Sequence, residues 1–166
     1  MANPDININN CKGFTLVELI VTLAIASTLL LAGSYLTVAW TDRAKVNNTV
    51  SIIKSSVANA RALAIRNERA LLSNEPSVSI CINYEDNTLK IFDILNPSTI
   101  CKENQSGNLV KHYDIAKGIE INQNDSLVNC FAINASGLAN KSLCHTTLTD
   151  EITVRKGNEK FNFKLL

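Results

Sequence analysis

Proline and glycine are scarce, at three and six in 166 residues, which excludes collagen-like and proline-rich scaffolds. Charge of one sign is not in excess. Sixteen basic against fifteen acidic residues leave a formal net charge of +1, so bulk charge does not indicate a strongly basic nucleic-acid binder. Catalytic signatures are missing too: there is no G-x-S-x-G, no H-E-x-x-H, no Walker motif and no G-x-G-x-x-G. There is no internal repeat of fixed period and no low-complexity tract. What is present is 46% hydrophobic and 19% charged residues, a globular average over one domain's length that argues against wholesale disorder. That average conceals a segregation, because the run from Phe14 to Ala39 contains a single charge, Glu18.

The run FTLVELIVTLAIASTLLLAGSYLTVA holds thirteen Leu, Ile, Val or Phe residues. It exceeds the roughly 20 apolar residues needed to cross a bilayer. At about −0.3 to −0.6 kcal/mol each, the thirteen contribute about −4 to −8 kcal/mol to insertion. A carboxylate at mid-bilayer costs about +2.5 to +3.5 kcal/mol, and Glu18 lies near the end of the run, so insertion wins with Glu18 charged. The flanks do not fit a cleaved secretory signal. The leader MANPDININNCKG is polar, its one basic residue, Lys12, stands at its end, and no A-x-A-like site closes the apolar run. Lys12 favours a cytoplasmic leader with the bulk of the chain exported. On this physics alone, a plain signal anchor holding an exported domain also satisfies the pattern.

The residues Lys12-Gly13-Phe14-Thr15-Leu16-Val17-Glu18-Leu19 resemble the processing site of type IV pilins and type II secretion pseudopilins. The resemblance implies cleavage by a prepilin peptidase between Gly13 and Phe14 and N-methylation of Phe14. It makes residues 1–13 a leader that is removed. It also assigns Glu18 to assembly. Cleavage would leave a cationic amine on Phe14, while Glu18 is an acid in an apolar run that needs a partner. The amine of a neighbouring subunit's Phe14 fits, because it exists only after processing. The alternative is a Glu18 that snorkels to the headgroups and pairs with nothing.

Beyond Ala39 the helical period continues. Val46, Val50, Ile53, Val57, Ala60, Ala64 and Leu71 make one apolar stripe. Asp42, Arg43, Lys45, Lys54, Arg61, Arg66, Glu68 and Arg69 lie between them. No proline occurs from Phe14 to Glu75, so one helix of about 88 Å is expected from Phe14 to about Leu72. Gly33 is its weak point, a site for a bend or local melting. Asn74-Glu75-Pro76 ends the helix. The period then becomes two. Ser77 to Tyr84 and Thr88 to Leu95 flank Glu85-Asp86-Asn87, a hairpin signal. Further strands are expected at Leu109 to Ile115, Ile119 to Asn122, Val128 to Ala135, Leu143 to Leu148, Glu151 to Arg155 and Phe161 to Leu165. A tight turn is expected at Lys156 to Glu159 and a polar loop from Asn96 to Asn108.

Cys11 lies in the leader, and four cysteines remain: Cys81, Cys101, Cys130 and Cys144. An even number in an exported domain points to two disulfides. Of three pairings, the sequence-local ones, Cys81–Cys101 and Cys130–Cys144, are favoured because local pairs close hairpins and connecting loops. The rivals are free buried thiols and a zinc site, the latter opposed by irregular spacing and the lack of C-x-x-C. His112 and His145 are the two histidines, and His145 adjoins Cys144. A Cys–His nucleophile is outweighed there by a strand-surface histidine beside a structural cystine. No catalytic residue, metal or cofactor is expected. Arg61, Arg66 and Arg69 could meet DNA phosphates, or form a solvated helix face or pair with a neighbouring subunit. Arg155, Lys156, Lys160 and Lys164 form a basic cluster diluted by Glu151 and Glu159.

The expected fold class is α+β and pilin-like, a long N-terminal α-helix packed on a small antiparallel β-domain. Residues 14–40 form its transmembrane and assembly half, 41–73 its amphipathic half and 76–166 a periplasmic β-domain. The helix-then-β order and the stretch Cys130-Phe131-Ala132-Ile133-Asn134-Ala135-Ser136-Gly137 resemble the minor-pilin group that includes FimT, FimU and the pseudopilin GspH. Some FimT proteins carry a DNA-binding Gly-Arg-x-Arg element. This chain has Val154-Arg155-Lys156-Gly157 instead, so DNA binding is not carried over. The resemblance implies a non-enzymatic minor type IV pilin for assembly priming or the fibre tip. Its partners would be other major and minor pilins, the prepilin peptidase and the inner membrane, and its destination the pilus. A type II secretion pseudopilin, with a place in the pseudopilus, and a DNA receptor of natural transformation are the alternatives.

Overall fold

Thr15 opens the single long helix of the protein, α1, which runs from Leu16 to Arg66 over 51 residues. The computed structural model describes residues 14–66, 68, 70–95, 100–101, 107–140, 143–144 and 150–165, the side chains of 34–36 excepted. The leader, with Gly13, Lys12 and Cys11, lies outside them, as do Arg69, His145 and most of the expected loop from Asn96 to Asn108. The chain divides into two units, one ending at Val38 and one beginning at Ala39.

In the first unit α1 is continuous across Gly33, with no break in helical backbone. A glycine costs about 1 kcal/mol in a helix interior, and the branched and long apolar residues around it keep the helical backbone. In the second unit the helical stripe is buried. Val46, Val50, Ile53, Val57, Ala60 and Ala64 are all in the core. Thr49 and Ser56 are buried on the same helix because their hydroxyls donate back to the carbonyls of Lys45 and Ile53, at 2.9 and 2.8 Å.

The helix ends at Arg66, short of the expected Leu72. Local bonds take over there. Ala70 has a left-handed φ of 52°, and the amide of Glu75 donates to the Leu72 carbonyl at 2.9 Å. Glu75 Oε2 in turn accepts from the Leu72 amide at 3.1 Å. Leu71, the last member of the expected stripe, therefore lies beyond the helix and is half-buried.

Eight strands follow among the described residues. They are β1 (Pro76–Asn83), β2 (Thr88–Ile94), β3 (Gly107–Asp114), β4 (Glu120–Gln123), β5 (Ser126–Leu127), β6 (Cys130–Asn134), β7 (Ile152–Lys156) and β8 (Glu159–Phe163). They form two four-stranded antiparallel sheets, in the orders β3-β2-β1-β6 and β5-β4-β7-β8. Alternation puts Ile80 and Ile82 of β1, Leu89 and Ile91 of β2, and Phe131 and Ile133 of β6 into the core that holds the helical stripe. Ile121, Ile152, Val154 and Phe163 join it from the second sheet.

Two expected strands come out differently. The strand expected from Val128 to Ala135 is shorter, with β6 confined to Cys130–Asn134, and Val128 and Asn129 carry the chain there from β5 of the other sheet. The hand-over is fixed by the Val128 amide on the Ile121 carbonyl and the Ile82 amide on the Asn129 carbonyl, both at 2.8 Å. Leu143 and Cys144 lie in a turn rather than a strand, and the rest of the strand expected to Leu148 lies outside the described residues.

Turn chemistry sets the registers. Asn83 Oδ1 accepts from the amides of Glu85 and Asp86, at 2.8 and 3.1 Å, and closes the β1–β2 hairpin. Asn124 and Asp125 take φ of 50° and 61° between the paired Gln123 and Ser126, a two-residue loop that Asn and Asp tolerate. Gly157, at φ 57°, does the same between Lys156 and Glu159.

Candidate assembly interface on the N-terminal helix

The first turn of α1 is built by Thr15, whose Oγ1 accepts from the Glu18 amide at 3.2 Å. This is an N-cap, and it meets one of the four amide donors that a helix start leaves unpaired. Glu18 itself lies in the first turn, where a carboxylate is favoured by the positive end of the helix dipole. The Thr-x-x-Glu spacing is the sequence signal for this cap.

From Phe14 to Gly33 every side chain is exposed, including Phe14 at 80% and Leu31 at 75%. The most apolar 18-residue window of α1 has a mean hydropathy of 2.2, and none of it is buried within the chain. A helix that is apolar on all sides and covered by none of its own chain fits a lipid or helix-packed surrounding. Its hydroxyls suit that surrounding. Thr22, Ser27 and Thr28 donate to the carbonyls of Leu19, Ala24 and Ile25, at 2.9, 2.9 and 2.8 Å. Thr37 donates to Gly33 at 2.9 Å. Each of these four hydroxyls is thus met within the helix, as a water-free environment demands. Glu18 differs. No cation approaches its carboxylate among the described residues.

The other chemically equipped residues are engaged elsewhere. Cys81 is bonded to Cys101 and Cys130 to Cys144, across separations of 20 and 14 residues, so no thiol is left at Cys144 to act as a nucleophile. His112 sits on the exposed strand β3 with Nε2 3.2 Å from Asp114 Oδ1. No group of three or more His, Cys, Asp or Glu able to hold a metal occurs among the described residues.

Three of the basic residues singled out in the sequence are engaged within the chain. Arg66 bonds Glu68 at 2.6 Å, and Arg155 bonds Glu120 at 2.7 Å. Lys156 Nζ donates to the Lys117 carbonyl at 2.6 Å. Arg61 differs from these: two of its guanidinium nitrogens are buried and unpaired, which helical spacing alone did not reveal.

Residues 8–34 match the family described as the prokaryotic N-terminal methylation motif. No curated protein and no solved structure matches the chain significantly. The matched residues span the Lys12-Gly13-Phe14 junction, Glu18 and most of the exposed apolar helix. They fit an inner-membrane-anchored subunit processed by prepilin peptidase and assembled with other pilins. With this methylation motif leading into a helix packed on an antiparallel β-domain, the chain carries the N-terminal signature of type IV pilin-like proteins on a fold consistent with theirs.

Proposed function

We propose that the chain is a minor type IV pilin, a structural subunit for assembly priming or the fibre tip. The observation that carries this reading is the exposed apolar helix whose one acid, Glu18, has no ion-pair partner among the described residues and lies four residues after Phe14. Cutting between Gly13 and Phe14 removes the polar leader and creates a methylated amine. In a packed array, that amine on one subunit meets Glu18 on the next. The pair sets axial register, and the Leu, Ile and Val faces supply contact area. Before assembly the subunit waits in the inner membrane with its β-domain exported, where the oxidising environment suits the two disulfides. Pilin-like subunits are in general non-enzymatic.

Mass spectrometry of the mature N-terminus tests this reading. A start at methylated Phe14 is expected. An intact Met1, or a start beyond Ala39, rejects it. Pull-down of the full-length chain from membranes then identifies its neighbours. Pilus subunits are expected, whereas secretion-system subunits would make it a type II pseudopilin of the GspH type. The pairing of Arg155 and Lys156 within the β-domain disfavours the DNA receptor. A gel shift at low salt is expected to show no binding to duplex DNA.

A further inference from the structure

Three cations converge on one cavity, and none of them has an acid partner among the described residues. Lys54, Ala58 and Arg61 follow one another at spacings of four and three along α1, so they share a helix face. Lys164 and Leu165 come from the segment after β8, and together with Val57 these residues line a cavity of about 230 Å³. The Lys54 ammonium lies 5.3 Å from the centroid of the Phe163 ring, a cation–π contact that favours this placement. Arg61 Nε and Nη2 are shielded from solvent and have no hydrogen-bond acceptor among the described residues. No carboxylate among the described residues is within ion-pair distance of Lys54, Arg61 or Lys164.

A guanidinium does not lose its proton, so Arg61 keeps both its charge and its unmet donors. Buried donors without acceptors are costly, and the cost rises when the group is ionic and other cations stand near. An oxyanion in the cavity removes both penalties. The two orphaned nitrogens form one edge of the guanidinium fork, the edge that takes both oxygens of a carboxylate.

We propose that the Lys54–Arg61–Lys164 cavity is a receptor for one acidic side chain, Asp or Glu, of a neighbouring pilin-like subunit. The choice of occupant rests on the pilin reading above and on shape. The site is a single small recess on the helix that carries the assembly motif. A duplex needs a row of available cations, and Arg66, Arg155 and Lys156 are already engaged. An acid seated here adds a specific contact between subunits, distinct from the register set at Glu18.

The test uses the full-length chain in its own membrane, with a photo-crosslinking residue at Ala58, which is exposed beside the cavity. The expected product joins Ala58 to a peptide of another pilin-like subunit within two or three residues of an Asp or Glu. Arg61→Gln with Lys164→Gln should lower its yield about tenfold or more, as loss of a buried charge pair does. Changing that partner acid to Arg should do the same, and combining it with Arg61→Glu should restore the product. Circular dichroism of each solubilised variant checks that the β-domain remains folded. Four results overturn the proposal: a product with nucleic acid or lipid, a peptide without a nearby acid, a yield unchanged in the double variant, or normal incorporation with no product. Failure of the pilin reading is seen separately, as an N-terminus that is never cut before Phe14.

Discussion

Glu18 combines two properties that separate it from every other acid in the chain: an apolar neighbourhood on the helix and no partner among the described residues. Glu18→Ala is expected to abolish incorporation into filaments while leaving the chain in the membrane, because the apolar run inserts without it. Comparing the filament and membrane fractions by immunoblot checks this, and normal incorporation would sink the pairing mechanism. Tyr84 acts at the opposite end of the polarity scale. Its hydroxyl donates to the Val128 carbonyl at 2.6 Å, with the Ile121 carbonyl 3.3 Å away, where the chain passes from one sheet to the other. Burial pushes this hydroxyl well above its ordinary value of 10.0; the Ile121 bond opposes the shift and the charge of Glu120 adds to it. A raised folded value means the stabilisation is complete below pH 10 and is lost as pH climbs beyond it. At Tyr113 burial also raises the hydroxyl, but hydrogen bonds from Lys111, Ser55 and Asn59 and the Lys111 charge outweigh it and lower the value, an effect of opposite sign. Tyr84→Phe is therefore expected to cost about 1 kcal/mol at neutral pH. It should also flatten the alkaline loss of stability above pH 10, measured as thermal midpoint against pH. Glu18 was legible because an acid inside an apolar run is rare. Tyr84 was not, because its acceptors lie 37 and 44 residues away in sequence.

At the scale of elements, the helix was legible from its period and the hairpins from their turn residues. The 3.6-residue spacing of Val46 to Ala64 marked the face that the structure buries. The loops at Glu85-Asp86-Asn87 and at Gly157 closed where Asn and Gly allow positive φ. The late start of the strand expected from Val128, whose first two residues link the two sheets, was not legible, since its cause is a set of long-range backbone bonds rather than any breaker residue. The helix end shows the same limit, with tertiary bonds from Ser136 and Ala135 to the carbonyls of Ser73 and Glu75 claiming the segment after Arg66. Gly137 sits in that junction at φ 82°, where an added Cβ would stand 3.1 Å from Ile65 Cδ1. The disulfides staple what remains. Cys144 is held to Cys130 beside β6 across 14 residues, and opening that loop is expected to cost about 3 kcal/mol on the loop-entropy account. Cys130→Ser with Cys144→Ser should thus lower the denaturant midpoint without changing the N-terminal mass, and an unaltered midpoint would show the bridge to be dispensable.

At the scale of the whole molecule, the two units answer to different forces. Among the described residues, the stretch from Phe14 to Val38 buries no side chain and depends on what surrounds it, whereas the unit from Ala39 encloses its own core, with Ile53 wholly buried in it. Ile53→Ala removes buried volume beneath both sheets and is expected to cost about 2–5 kcal/mol. Glu18→Ala removes no core contact and should leave the unfolding midpoint of the detergent-solubilised chain where it was. Conversely, Ile53→Ala should leave cleavage before Phe14 intact, because the processing junction lies in the other unit. Effects at such separated sites add, so the double variant should show the midpoint of Ile53→Ala together with the incorporation defect of Glu18→Ala. Thermal unfolding and N-terminal mass, measured on the same four preparations, decide it. A midpoint shifted by Glu18→Ala, or a leader retained in Ile53→Ala, would mean that anchoring and folding are coupled through α1 rather than separable.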